Sequence, residues 1–264
     1  MTDLDRSEAR VSTDTPRPSG PSSAVAADGS TGVVLGIDTA TDWIVVGLAR
    51  PDGTQLQGGA LKALRLHGER LLPTIEGDLA SIHVPMSDIT GIVVGIGPGS
   101  FTGLRIGIAT AKGIAHGLGV PIVGVSTADV LLEAVFHDWT APAFNPDAST
   151  TGRPDVALLL PAGPQDRLLI HGGSIRILPP GADVDLPEAT LLIAVDLAGR
   201  APHDAVLRGE SAIRGFAETL LLLGTRRLAV GDADDLAELV PEYVTLPRGV
   251  VRQTGEVTWS RDPR

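Results

Sequence analysis

Short apolar runs separated by turn residues open the patterned part of the chain. Val33-Val-Leu-Gly-Ile-Asp38 and Trp43-Ile-Val-Val-Gly-Leu-Ala49 are too short for stable helices and rich in β-branched residues, so both predict strands. Asp-Thr-Ala-Thr-Asp42 joins them and Pro51-Asp-Gly53 marks the next turn. The pair predicts a β-hairpin whose tip displays Asp38, Thr39 and Thr41. Over residues 67–82 the period changes: Leu72, Ile75, Leu79 and Ile82 step by three, four and three, one apolar stripe on a helix with Pro73 in its first turns. Gly91–Ile96 reads as a buried strand. It runs into Gly97-Pro-Gly-Ser-Phe-Thr-Gly-Leu-Arg-Ile-Gly107 and out into a helix over about Phe101–Leu118. On that helix Leu104, Ile108, Ala111, Ala115 and Leu118 form one stripe. Gly103, Gly107, Thr110, Ile114 and Gly117 form a second face of small residues that lets another backbone come close. Pro121–Val125 reads as the next buried strand.

Beyond residue 140 the pattern loosens. A Pro/Asn/Asp/Ser/Thr-rich stretch over 140–154 reads as a flexible loop, and strand-like runs follow at 156–160, 167–171, 174–178 and 190–195. A helix is expected near 210–224, announced by Leu220-Leu-Leu-Leu223, and a short acidic helix near 232–240. Residues 1–31 are rich in Ser, Thr, Pro, Gly and Asp; they bury too little apolar area to offset the entropy of ordering and read as a disordered tail. The organisation expected is a first lobe over 33–125 completed by 241–264, and a second over 126–240. No repeat of solenoid period is present.

Composition narrows the class. Aromatic residues make up 3% of 264, so Ala, Val, Ile, Leu and Gly must do the packing, as in α/β folds with parallel strands. A net charge of −11 argues against this chain gripping nucleic acid by itself. The absence of cysteine excludes disulfides, thiolate catalysis and zinc–sulfur sites, and suits a cytoplasmic protein. No run of about 18 apolar residues predicts a membrane span, and the acidic N-terminus lacks the apolar core of a signal peptide.

The glycine turn is the candidate chemistry. Gly97 and Gly99 can take positive φ, Pro98 fixes the φ between them, and Ser100 or Thr102 is placed to cap the following helix. A Walker A loop would need Lys-Ser/Thr after its last glycine, where Leu104-Arg105 stand. The G-x-G-x-x-G spacing is also missed, and Ser126 and Thr127 lie where a ribose-binding acid would. Two readings stay open: a phosphate-binding turn, from its free amides, or an architectural entry into the helix. Asp38, Thr39 and Thr41 are similarly either a phosphate hairpin or a tight turn bonded to local amides. The six histidines (67, 83, 116, 137, 171, 203) show no i, i+4 pair, and His67-Gly-Glu69 at a helix start reads as capping chemistry, so no metal site is expected. Ser100 does not sit in a G-x-S-x-G elbow.

Gly36-Ile-Asp-Thr-Ala-Thr41, His67-Gly-Glu-Arg-Leu-Leu-Pro73, Gly97–Gly107 and Gly124-Val-Ser-Thr127 together resemble the TsaB family, bacterial proteins needed to make threonylcarbamoyladenosine in tRNA. The resemblance is close from 33 to about 135 and faint but collinear to about 250. It implies an α/β fold of the actin, Hsp70 and sugar-kinase type, two-lobed, with mixed sheets flanked by helices and a reduced second lobe. It also implies a paralogue, the ligase TsaD, whose H-x-x-x-H metal ligands align with Thr127 and Leu131 here; Leu131 has no lone pair to give a metal. Many family members carry Asp-Ala-Arg and then Glu-Val-Tyr at the start of the second lobe, where this chain has Pro161-Ala-Gly163 and Arg167-Leu-Leu-Ile170.

The expectation is therefore a scaffold subunit without catalytic residues of its own. It would bind and activate the TsaD ligase in forming threonylcarbamoyladenosine at position 37 of tRNA, with TsaE as a third partner, ATP used by the complex and not bound by this chain, and self-association into a homodimer when TsaD is absent. Contact with tRNA would be indirect. The docking face would be the helices 67–82 and 101–118, through Leu71, Leu72, Ile75, Leu79, Gly103, Arg105, Ile106, Gly107, Thr110 and Ile114. Three rivals remain: a sugar-kinase-like phosphotransferase using Asp38, with Thr39, Thr41, Gly97, Gly99 and Ser100 around the phosphate; a glycoprotease-like metallopeptidase, which the lack of a histidine pair argues against; and a free-standing regulatory homodimer.

Overall fold

The computed structural model describes residues 10–12, 32–138 and 153–243. Most of the loop expected at 140–154, and most of the segment 241–264 expected to complete the first lobe, lie outside these residues. So does the expected tail, except for one strand, β1 (Arg10–Ser12), which pairs antiparallel with β4 (Gln55–Lys62). A sheet edge leaves backbone donors and acceptors open, and three extended residues suffice to satisfy part of that row.

The first sheet has the order β1-β4-β3-β2-β5-β6. β2 (Val33–Asp38), β3 (Trp43–Ala49) and β4 form an antiparallel meander. β5 (Ile89–Gly95) and β6 (Ile122–Val125) run parallel to β2 and are reached over α1 (His67–Ser81) and α2 (Phe101–Leu118). The second sheet has the order β10-β7-β8-β9: the meander β7 (Val156–Pro161), β8 (Arg167–His171) and β9 (Ser174–Leu178), with β10 (Leu191–Ala194) parallel to β7. It repeats the β4-β3-β2-β5 part of the first and, among the described residues, has no counterpart of β6, so the second sheet is the smaller.

Between the sheets lie α3 (Thr127–Ala134) and α4 (His203–Ala229). Period-2 alternation sends Val34, Val45 and Val93 of the first sheet, and Leu158, Leu168 and Ile193 of the second, toward Phe216, Leu220 and Leu221 of α4 in one shared core. The alternate residues Leu35, Ile37, Ile44 and Val46 face the other way, where Leu71, Ile75 and Leu79 of α1 and Ile108, Ala111 and Ala115 of α2 cover them. Each fully buried Leu or Ile contributes about 2 kcal/mol of transfer free energy. α4 lies close to the first sheet because Gly36, Gly47 and Gly58 are cross-strand partners in register, a bare row under Leu221 and Ala217.

Some elements depart from expectation. The helix expected at 210–224 runs from His203 to Ala229, started by Pro202, whose fixed φ suits a helix entrance. The acidic helix expected at 232–240 does not form. Asp232 and Asp234 are instead drawn to Arg227 at 2.6 and 3.2 Å, and Asp234 N–H donates to the Ile122 carbonyl along β6. β4 and α3 are elements the pattern alone did not predict.

Candidate functional site

The Asp38–Asp42 loop is not a displayed tip. Asp38, Thr39 and Thr41 are buried, because the start of α2 lies across them. Ser100 caps α2 by accepting from Gly103 N–H at 3.2 Å, while Ser100 N–H donates to the Ala40 carbonyl at 2.6 Å. Thr39 Oγ1 donates to the Gly103 carbonyl at 2.8 Å. A Cβ at Gly99 would collide with the Ala40 carbonyl, and one at Gly103 with the Thr39 carbonyl. Thr41 accepts from Trp43 N–H at Oγ1, and its carbonyl lies 2.9 Å from His67 Nε2. Of the glycine turn's backbone, the Ser100 N–H is committed to this loop, and Gly99 and Gly103 let the two segments come close.

Asp38 is the centre of the arrangement, at 0% exposure. Its Oδ1 accepts from Ala40 N–H at 2.8 Å and its Oδ2 from Thr127 Oγ1 at 2.7 Å. Thr127 Oγ1 in turn accepts from Gly97 N–H at 3.1 Å, and Thr127 N–H donates to the Gly97 carbonyl at 2.7 Å. Burial pushes the Asp38 carboxyl up to about 6, against the two hydrogen bonds that favour its charge. One carboxylate thus ties the end of β2 to the Gly97 turn and the start of α3. Thr127 was legible only as a position aligned with a ligase histidine; its role here follows from the fold.

Beside this hub a cleft of about 600 Å³ separates Ala40–Asp42 and Gly99–Thr102 from the β7–β8 turn, with Asp42, Asp166 and Asp196 on its walls. Asp196, at φ 57°, accepts from Asp42 N–H at 2.6 Å. Burial first, and the neighbouring Asp42 charge after it, raise its carboxyl to about 6. No pattern in the sequence pointed to Asp196. Asp42, Asp166 and Asp196 give the cleft an acidic lining, and Asp38 is sealed from it. Among the described residues no three His, Asp or Glu side chains gather as metal ligands.

The residues expected on the docking face divide. Leu71, Ile75 and Leu79 are core residues of α1, and Gly103 and Gly107 face Thr39, so these five are corrected to interior positions. The one-residue ambiguity at Leu71-Leu72 resolves with Leu71 inside and Leu72 47% exposed. Arg105 is exposed, stacked 3.8 Å over Phe101, and donates to Tyr243 OH at 3.0 Å; Ile106, Thr110 and Ile114 are half-buried. The small-residue surface actually presented runs through Gly77 and Ala80 of α1 and Ala109, Gly113 and Gly117 of α2. A Cβ at any of the three glycines would meet nothing within 4 Å.

Sheet order, the shared helical layer and the cleft between the lobes define an α/β protein of the actin, Hsp70 and sugar-kinase type. The family described as TsaD, tRNA N6-adenosine threonylcarbamoyltransferase, matches residues 59–195. The chain belongs to this family. It is 44% identical over 104 residues to the tRNA threonylcarbamoyladenosine biosynthesis protein TsaB of Escherichia coli, 39% of this chain and 44% of that one. To an uncharacterized protein of Mycobacterium tuberculosis it is 41% identical over 99 residues, 37% of this chain and 47% of that one. The chain thus spans less than half the length of these curated relatives. Among solved structures, YeaZ from Pseudomonas aeruginosa superposes with a TM-score of 0.60 at 25% identity, covering 81% of this chain and all of that one. No helix among the described residues is long and apolar enough to cross a membrane.

Proposed function

We propose that this chain is a scaffold subunit without a catalytic site of its own, which binds and activates a TsaD-type ligase in forming threonylcarbamoyladenosine at position 37 of tRNA. The observation that carries the reading is the fate of the two positions aligned with the ligase's metal-binding histidines. The Thr127 hydroxyl is committed to Asp38, and Leu131 is buried in the core shared with α4. The name of the Escherichia coli relative supports the tRNA pathway.

The docking face is the exposed side of α1 and α2, centred on Leu72, Ala109 and Gly113, where small side chains let a partner's helices approach closely. The same face serves self-association when the ligase is absent. TsaE is the third partner, and ATP is used by the complex and not by this chain. The test is capture of purified TsaD, together with the threonylcarbamoyladenosine content of tRNA in cells depleted of this protein. Ala109→Arg, on an exposed position, is expected to melt like the wild type, to capture TsaD at least about tenfold more weakly, and to fail to restore the modification. Unchanged modification after depletion, or full capture by Ala109→Arg, overturns the reading.

A further inference from the structure

A second hollow, of about 480 Å³, lies across the β7–β8 turn from the acidic cleft and has the opposite character. Its walls are Gln165 and Arg167 at the start of β8, the loop Pro180–Ala182 after β9, and Gly199–Pro202 leading into α4. Arg167 is 8% exposed, yet its guanidinium donates only to the carbonyls of Ala182 and, at 3.4 Å, Arg200. No carboxylate among the described residues pairs with it. Arg200, half-buried, likewise donates to carbonyls, those of Pro164 at 3.1 Å and Asp196 at 3.3 Å. A guanidinium has five N–H donors in a planar fork, so both retain donors beyond these bonds. A buried cation bonded only to neutral carbonyls holds its charge without an ion pair in the described fold.

Two further features of the hollow suit an anion. The 27-residue α4 starts at its rim, and Pro202 supplies no side-chain cap, so the positive end of the helix dipole faces this region. Gly181 and Gly199, at φ 74° and 73°, keep the rim free of side chains.

We propose that this hollow binds the phosphate group of a small phosphorylated molecule. Tetrahedral phosphate oxygens match two guanidinium forks approaching from different loops, where a single carboxylate would engage only one. A nucleic-acid backbone is disfavoured because the chain carries a net charge of −11 and the three aspartates of the cleft lie just across the turn. The site is independent of ligase docking, so either proposal can fail without the other.

Calorimetric titration of the full chain with inorganic phosphate, pyrophosphate and AMP, at ionic strength held constant with sodium chloride, tests it. At least one probe is expected to saturate at one per chain, with Arg200→Met weakening it about tenfold or more and Arg200→Lys retaining part of the affinity. Arg167→Met is expected to lose binding while melting no lower than the wild type, since it removes an uncompensated buried charge. If Arg167 only staples loops, that variant melts lower and the wild type ignores all three probes. Absence of saturation, equal affinity in Arg200→Met, or binding of RNA in place of the small probes overturns the proposal.

Discussion

The two sheets share a strand order but close their outer faces differently. In the first, the step from β4 to β5 carries α1, the step from β5 to β6 carries α2, and both helices seal the face that looks away from α4. In the second, the step from β9 to β10 is an irregular segment over 179–190. Ala182, Val184 and Leu186 from it, with Ala205 at the start of α4, are what cover Leu159 and Leu169. The first lobe's turn between β2 and β3 is buried and fixed by Asp38, while its counterpart between β7 and β8 is open and held by arginine bonds to carbonyls. Even β9 shows the difference: Ile175 and Ile177 are 51% and 50% exposed, in line with the buried Ile170 and Leu168. Duplicating a topology does not duplicate a core; what matters is whether the crossovers between strands are long enough to be helices.

Substitutions can break this contrast. The largest effect is expected from Gly103→Leu, which drives a side chain into the Thr39 carbonyl: a loss of about 4 kcal/mol or more in denaturant unfolding, with the first lobe affected most. Thr127→Val leaves the Asp38 carboxylate and the Gly97 amide without their common partner and should cost about 1–3 kcal/mol.

The pH dependence sharpens the point. A free aspartate titrates near 3.9, whereas Asp38 holds its proton up to about 6 in the folded chain. Between these values the native state binds more protons than the unfolded one. The contribution of Asp38 is therefore full below about pH 4 and lost as the pH climbs through about 6, by about 3 kcal/mol at most. Asp196 acts in the same direction. Melting temperature should rise on acidification from pH 7 toward 5, and the rise should be smaller in Asp38→Asn. The exposed Asp155 and Asp232, whose carboxyls are held below the ordinary range by Thr190 and Arg227 respectively, oppose this only at lower pH. The smallest effect belongs to the second lobe's open edge: Ile175→Thr should change stability by no more than about 0.5 kcal/mol.

The elements of local period were legible in the sequence. The helix over Phe101–Leu118 has the expected bounds, and the runs at 167–171 and 174–178 are strands as read. What escaped was direction. Leu71 and Leu72 are adjacent, and a stripe drawn through either fits a helical period; only packing against β3 selects Leu71. The glycine face of α2 reads in the sequence as a surface for another chain, but Gly103 and Gly107 admit Thr39 of the same lobe, and only Gly117 of that face stays open. β4 was hidden by its central Gly58-Gly59, which weaken a strand pattern; Gly58 here makes room for Ala217 of α4. α3 had a signal, Ser126 followed by Asp129 at capping distance, and Ser126 does accept from Asp129 N–H. The acidic hollow and the basic one draw residues from segments far apart in the chain, so no window of sequence contains either.

The position of α4 has a consequence for synthesis. Val34, Val45 and Val93 present a bare apolar surface from the moment their strands pair, and the residues that cover it, Phe216, Leu220 and Leu221, are synthesised long after them. For the interval between residue 118 and residue 221 the nascent first sheet has one face wrapped by its own helices and the other uncovered. A ribosome stalled in that interval displays a half-closed lobe with sticky β-strands, the kind of species that chaperones hold and that self-associates when they do not.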